Sequence, residues 1–424
     1  MGDKISSFID RHLHWIETNM TDGGWPDQPG KRPSVLTTAE AVTALLEAPD
    51  GRESSFVNKG ITFLIDHQVK EGSDCGAWKR ENTDRPHEQI ADLLRTSKAI
   101  SAIARASARC KDESKKRSWK ASCGQGVEWL KQRQLPGGEW SFRAGDAADA
   151  LATCFALSAL FDANAAFGFD IGCPKKPAVW FDHRVDSEGA LGGPQTESAL
   201  RPVVTTELLH LHLTATKLGV GDVLSPETEK QALKWVLKQK PEVFVPVETK
   251  IELDPHNPAN NYPYTVMLNT TIMNLFAMRA PTTWYGRWFA PLSSRRLRRL
   301  ALYALRKVQS LQDNHGGFKQ PRVFTWATCM IVIGISRCRG PLKRMPSTRD
   351  PKDWAEIPLA FFVIVHGFCF VLERLDENLR NNSAFTTVSI VSLVAANALA
   401  VLVGYMERGS ILDGFKRLRL RVKS

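Results

Sequence analysis

The strongest constraint in this 424-residue chain is a recurrence. A helical stretch with one apolar stripe leads into a glycine and an aromatic residue, and then into a second helical stretch that is small and apolar nearly all round. Residues 127–160 carry the unit in full: a helix ending near Gln134, the turn Pro136-Gly137-Gly138-Glu139-Trp140, and an apolar helix from about Asp149. Slid along the sequence, the unit fits six times. The first copy has Asp22-Gly23-Gly24-Trp25 and a second helix from Thr37. The next has Gly76-Ala77-Trp78 and a helix from Asp92. The fourth has Val179-Trp180-Phe181, a glycine turn over 189–193 and a helix from Val203. The fifth has Trp235-Val236, a proline-rich connection over 242–265 and a helix from Leu268. The sixth has Gly316-Gly317-Phe318 and a helix from Thr325. Turn glycines at 24, 76, 138, 193 and 317 keep spacings of about 50 to 60 residues, with the fifth unit in the long gap, as a repeat architecture requires.

The pattern has a physical reading. Lys, Arg and Gln interrupt the first helix of each unit at helical spacing, so one face stays wet. TTAEAVTALL and ATCFALSAL offer no such face and must be enclosed. Gly-Gly supplies the left-handed backbone that stops the first helix, and Thr, Ser or Asp caps the second. One unit cannot bury its own second helix, but six closed in a ring can.

A bulky Trp, Phe or Leu pair, a Gln four or five residues on, then Gly-x-Trp and a Thr-Ala-x-x-x-x-Ala-Leu helix resemble the repeats of squalene and other terpenoid cyclases and of protein prenyltransferase β subunits. The resemblance covers residues 8–337. It implies an all-α fold, an α6/α6 toroid in which six inner helices line a cavity and six outer helices surround them.

The family chemistry does not come with the repeat. Squalene-type cyclases protonate an alkene with an Asp-rich DxDD motif, which needs an unusually strong carboxylic acid. Asp146-Ala147-Ala148-Asp149 is the nearest match and lacks two of the acids, so Asp149 reads first as a helix N-cap. Prenyltransferases hold zinc with Asp-x-Cys and a distant His. Here Ala152-Thr153-Cys154 lacks the Asp, and Arg95 stands in place of the His in DLLRTSKAISAI. His210 and His212, two apart on one helix, cannot comfortably share a metal. Neither metal nor cofactor is expected. If the chain is an enzyme, an isoprenoid cyclase or prenyltransferase-like one, the acids to suspect are Asp92, Asp146, Asp149 and Glu207.

A ligand-binding reading rests on the turns. In this topology every glycine-aromatic turn and every inner-helix N-terminus opens on one rim, where helix dipoles favour anions. Basic residues follow the turns: Lys31 and Arg32, Lys79, Arg80, Arg85 and Arg95, Arg143, Arg201, and Lys319 and Arg322. With Trp25, Trp78 and Trp140 they are expected to form a funnel for an anionic or amphiphilic ligand, isoprenoid- or nucleotide-like, above an apolar cavity. A protein-docking scaffold is the remaining alternative, distinguished by a cavity filled with its own Trp and Phe side chains.

The net charge of +11 is concentrated at the C-terminal end. Residues 285–424 hold 23 Lys and Arg against 9 acids, and residues 1–284 hold 33 against 36. Arg295, Arg296, Arg298 and Arg299 lie on the sixth outer helix, as a face for anionic lipid. Such a basic region beside apolar runs points to a membrane surface before nucleic acid. Residues 357–372 carry no formal charge and 386–406 none either, and a span needs about 20 residues. Two transmembrane helices are therefore expected. The domains read as a toroid over 1–337, a basic linker over 338–353 and a hairpin with a basic tail over 354–424. Arg337, Arg339, Lys343, Arg344, Arg349 and Lys352 precede the pair, and Arg408, Lys416, Arg417, Arg419, Arg421 and Lys423 follow it. The toroid and both termini are then cytoplasmic, and the loop 373–385 lies on the opposite side. Homo-oligomerisation through the two helices is compatible with this layout. The eight cysteines form no CxxC and no close pair, which fits a reducing compartment.

Overall fold

The computed structural model describes residues 2–48, 55–79, 91–172, 175–191, 201–239, 250–251, 262–280, 292–310 and 325–344. The chain divides into two compact units, Met1–Ala280 with Pro291–Lys343, and Pro281–Ala290 with Arg344–Ser424. Apart from Arg344 the second lies outside the described residues, as do both expected membrane segments and the 373–385 loop.

The described residues form twelve helices: α1 (Gly2–Thr18), α2 (Val35–Leu46), α3 (Ser55–Asp66), α4 (Leu93–Ser107), α5 (Glu113–Gln132), α6 (Ala150–Phe167), α7 (Lys175–Asp182), α8 (Arg201–Leu218), α9 (Pro226–Lys238), α10 (Tyr264–Arg279), α11 (Leu292–Ser310) and α12 (Thr325–Arg344). Within the fifth connection, β1 (Lys250–Ile251) pairs antiparallel with β2 (Tyr262–Pro263). The helix expected from Leu268 starts four residues earlier, at Tyr264, directly after β2. The last helix runs on to Arg344, into the stretch expected as a linker.

The two helix types differ as the pattern requires. All twelve residues of α2 are buried, Glu40 among them. In α3, by contrast, burial falls on Val57, Gly60, Ile61, Phe63 and Leu64, one stripe of an otherwise exposed helix. Each even-numbered helix from α2 to α8 packs on the next even-numbered one. α10 meets α12 where the Thr270 hydroxyl donates to the Met330 carbonyl at 3.2 Å. α12 returns to α2 through Arg337 Nη2, 2.6 Å from Glu47 Oε1.

The helix pairs are held by one repeated device. The indole N–H groups of Trp25, Trp78 and Trp140 donate to the carbonyls of Ile16, Leu64 and Leu130 at 2.7, 2.6 and 2.8 Å. These carbonyls lie near the C-terminal ends of α1, α3 and α5, where intrahelical donors run out. The backbone N–H of each Trp donates to a threonine hydroxyl on the following helix: Thr38 at 2.9 Å, Thr96 at 3.1 Å and Thr153 at 3.0 Å. In the fourth unit Leu191 replaces the aromatic residue, and its N–H reaches Thr205 at 2.9 Å. Gln68 braces its own turn, its amide donating to the Gly76 carbonyl and to Ser122 of α5, both at 2.9 Å.

The same turns join one unit to the next. Gly76 sits at φ +91°, and a Cβ there would overlap the Gln125 carbonyl of α5; Gly189, at φ +95°, abuts Gln231 of α9 in the same way. Reciprocally, Gly60 and Gly126 give room for the rings of Trp25 and Trp78, each within 2.9 Å of where a Cβ would stand. Glycine is thus required on both sides of the contact.

Candidate functional site

The six even-numbered helices enclose a chamber of ≈ 90 Å³, counted as the space open to the centres of water-sized molecules. Every one of them contributes polar lining: Glu40 and Thr43 from α2, Lys98 and Arg105 from α4, Ser158 from α6, Glu207 and His210 from α8, Thr271 and Asn274 from α10, and Arg337 from α12. Phe155, Leu211, Met330 and Ile333 supply the apolar part of the wall. The expected apolar cavity is therefore corrected. Charged and hydroxyl-bearing residues interrupt these otherwise apolar helices, and helical spacing turns them to the ring interior.

The charged groups are matched. Lys98 Nζ lies 2.7 Å from Glu40 Oε1, and also 5.1 Å from the centre of the Phe155 ring. Arg105 Nε lies 3.0 Å from Asp162 Oδ2, and its Nη1 is 3.8 Å from Glu47. Arg337 makes two contacts with Glu47 Oε1, at 2.9 and 2.6 Å. Burial pushes the Glu47 carboxyl up, but Arg337, Arg105 and Arg109 outweigh it and hold the group below its usual range.

Glu207 and His210 stand apart from this network. Glu207 accepts a hydrogen bond from the Thr271 hydroxyl, and burial pushes its carboxyl up despite that bond. His210 Nδ1 lies 3.9 Å from Glu207 Oε2. Burial first, and then Arg337, Arg105 and Lys98, draw the imidazole pKa down to about 3, so it is neutral at physiological pH. A carboxyl held toward its acid form beside a neutral imidazole can donate, accept or pass a proton.

The other suspected acids are placed elsewhere. Asp149 caps α6, one carboxylate oxygen accepting from the N–H groups of Leu151 and Ala152 at 2.8 Å each. Asp92 caps α4 through the Arg95 N–H at 2.8 Å and pairs with the Arg95 side chain. Asp146 is exposed in the turn before α6. None of these three lines the chamber.

Of the basic residues expected to converge, the described ones, Lys31, Arg32, Lys79, Arg95, Arg143 and Arg201, do not line it either. Lys31 and Arg32 are exposed in the first turn, Arg143 is half-buried in the third, and Arg201 pairs with Asp186. Arg80, Arg85, Lys319 and Arg322 lie outside the described residues. The rings of Trp25, Trp78 and Trp140 are at most 1% exposed, committed to the helix-pair clamp and closed to a ligand. On α11, Arg296 and Arg299 are exposed, but Arg298 is 5% exposed and faces inward with Leu297 and Ala301; the Arg295 side chain lies outside the description. Among the described residues no three of His, Cys, Asp and Glu gather to hold a metal ion, and the six described cysteines are free. His212 is structural, accepting from the Leu224 N–H at 3.2 Å.

One described helix, α6, is long and apolar enough to cross a membrane, and it is an inner helix of the ring, largely buried.

No protein-family model matches the sequence, and no curated protein matches it. Solved structures do. The GH76A α-1,6-mannanase from Salegentibacter sp. HEL1_6 is similar with a TM-score of 0.54 at 11% identity, covering 80% of this chain and 99% of that one. The cellobiose 2-epimerase from Spirochaeta thermophila DSM 6192 is similar with a TM-score of 0.54 at 12% identity, covering 81% of this chain and 97% of that one. A variant of the type II terpene cyclase MstE from Scytonema reaches 0.49 at 14% identity, covering 80% and 99%. At such identities likeness carries the fold alone: this chain has the fold of an α/α toroid.

Proposed function

We propose that the chain is a six-repeat toroid that binds a small polar ligand in its central chamber and is tethered to a membrane by the two apolar segments, 357–372 and 386–406. The observation that carries the binding reading is the polar lining contributed by every inner helix, around open space. A docking scaffold needs no such space. An isoprenoid tail would strip water from those hydroxyl, carboxyl and guanidinium groups and give nothing back. Among the described residues, the anionic part of the expected ligand keeps support at the first turn, where Lys31 and Arg32 are exposed. In one structure of similar fold the ligand is a sugar: an inactive variant of the mannanase is in complex with α-1,6-mannotriose.

The tether follows from the two uncharged runs and the basic residues flanking them. In this arrangement the toroid and both termini are cytoplasmic, and Arg296 and Arg299 of α11 meet anionic headgroups. Arg337 lines the chamber seven residues before the end of α12 at Arg344, after which the chain continues toward the first apolar run. Ligand occupancy can thus be relayed along one helix, to an anchor or to a membrane effector assembled from several copies.

A second reading, as an enzyme, is favoured by one observation: Glu207, alone of the four suspected acids, lies in the chamber beside His210.

The test uses full-length protein. Alkaline carbonate should leave it with membranes, and a cysteine introduced into 373–385 should be labelled only from the side opposite the toroid. Ligands that raise the melting temperature should lose that effect in Ser158→Leu, which fills the chamber. Carbonate release would remove the tether, and a thermal shift indifferent to Ser158→Leu would remove the chamber.

A further inference from the structure

The chamber wall also restricts the class of ligand, given that the chamber is a ligand site at all. Its three cations are each matched by a carboxylate: Lys98 by Glu40, Arg105 by Asp162 and Glu47, Arg337 by Glu47. A phosphate entering this space would have to draw a cation off its partner and leave a largely buried carboxylate unpaired. The balance of charge therefore favours an occupant with no net charge.

Two wall atoms are left without a match. Ser97 Oγ and Asn274 Oδ1 have no hydrogen-bond partner among the described residues, although the two residues are only 1% and 6% exposed. Buried polar atoms are nearly always bonded. In a chamber wall, such atoms mark contacts that an occupant completes. They differ in kind: the amide oxygen only accepts, whereas the hydroxyl accepts and donates. An occupant carrying several hydroxyl groups satisfies both. Phe155, Leu211, Met330 and Ile333 offer the apolar surface that the C–H face of a ring requires. The volume of ≈ 90 Å³, space for the centres of several water-sized molecules, suits a small occupant such as a single ring.

We propose that the chamber binds a single uncharged polyhydroxylated ring, a monosaccharide or a cyclitol, with Ser97 and Asn274 as the residues that recognise its hydroxyl groups.

The test is calorimetric titration of the full-length protein in detergent with common aldoses, ketoses and inositols, and in parallel with inorganic phosphate and farnesyl diphosphate. A neutral ring should bind, and the sugar and inositol arms identify which kind. Ser97→Ala, which removes one atom, and Asn274→Leu should each weaken binding at least tenfold while keeping the wild-type melting temperature within a few degrees. Ser158→Leu should abolish it. Failure of every neutral ring to bind, or equal affinity in Ser97→Ala and wild type, overturns the proposal. Binding of phosphate or farnesyl diphosphate that Ser158→Leu blocks would overturn the ligand class and leave the chamber as a binding site. If nothing in either panel binds, both readings fall.

Discussion

Gly76→Ala should be among the most damaging single-methyl additions to this protein, and the structure gives the size of the effect. Two costs add. At φ +91° an alanine sits in a backbone region that L side chains rarely adopt, which costs about 1–3 kcal/mol. The added Cβ also overlaps the Gln125 carbonyl of α5, a main-chain atom that cannot swing away, and overpacking of this kind costs a further ~1–3 kcal/mol. The sum is about 2–6 kcal/mol. Gly72→Ala provides the control: it has φ +81° and nothing within 4 Å of where its methyl group would stand, so only the backbone cost applies. Urea unfolding of the two variants, followed by tryptophan fluorescence, measures the difference, since Trp78 lies in the affected turn. Gly76→Ala should be less stable than Gly72→Ala by ~1–3 kcal/mol. Equal destabilisation would refute the claim that the turn glycine is an inter-unit contact and reduce it to a local backbone requirement.

Three further outcomes are expected. Trp140→Phe removes the indole donor to the Leu130 carbonyl and should cost about 1–3 kcal/mol in unfolding free energy without changing ligand affinity; a selective loss of binding would return the tryptophan to the ligand site. Glu47→Gln loosens the contact by which α12 returns to α2 through Arg337, and should increase amide hydrogen exchange in both helices; unchanged exchange would make that ion pair incidental to ring closure. His210 has a folded pKa near 3, below its unfolded value of 6.5, so the unfolded chain binds the extra proton, and stability is present above pH 6.5 and lost as pH falls toward 3. Relative to His210→Gln, the wild type should lose about 1.4 kcal/mol per pH unit between pH 6 and 4. Glu207, shifted upward, acts in the opposite sense over part of that range, which is why the comparison is made against a variant that retains it. Parallel pH profiles for the two proteins would refute the buried neutral imidazole.

Much of the fold was legible because helix pairing is local. The Gly-Trp turns, the apolar stripe of one helix and the enclosed character of the next sit within a few dozen residues of each other, and the structure adds that each Trp donates its indole N–H to the helix before it and its backbone N–H to the Thr of the helix after it. Even Asp149 declared its role, since an acid directly before an apolar helix is a capping signal wherever the chain goes. The site was less legible. Glu40, Lys98, Asn274 and Arg337 were available as polar interruptions of inner helices, but such a residue alone does not say which others it will face. Rim residues were conspicuous because they cluster in sequence.

The sequence by itself thus determined the repeat, the two helix types and the toroid, because backbone propensity, capping and amphipathic period act over short distances. Only the tertiary structure decided that the chamber is polar, that its cations are matched and that Ser97 and Asn274 are left over. Those facts depend on side chains from six helices spread across some three hundred residues of chain, and only their packing brings the charges within a few ångströms, where Coulomb and hydrogen-bond energies are large enough to define a site.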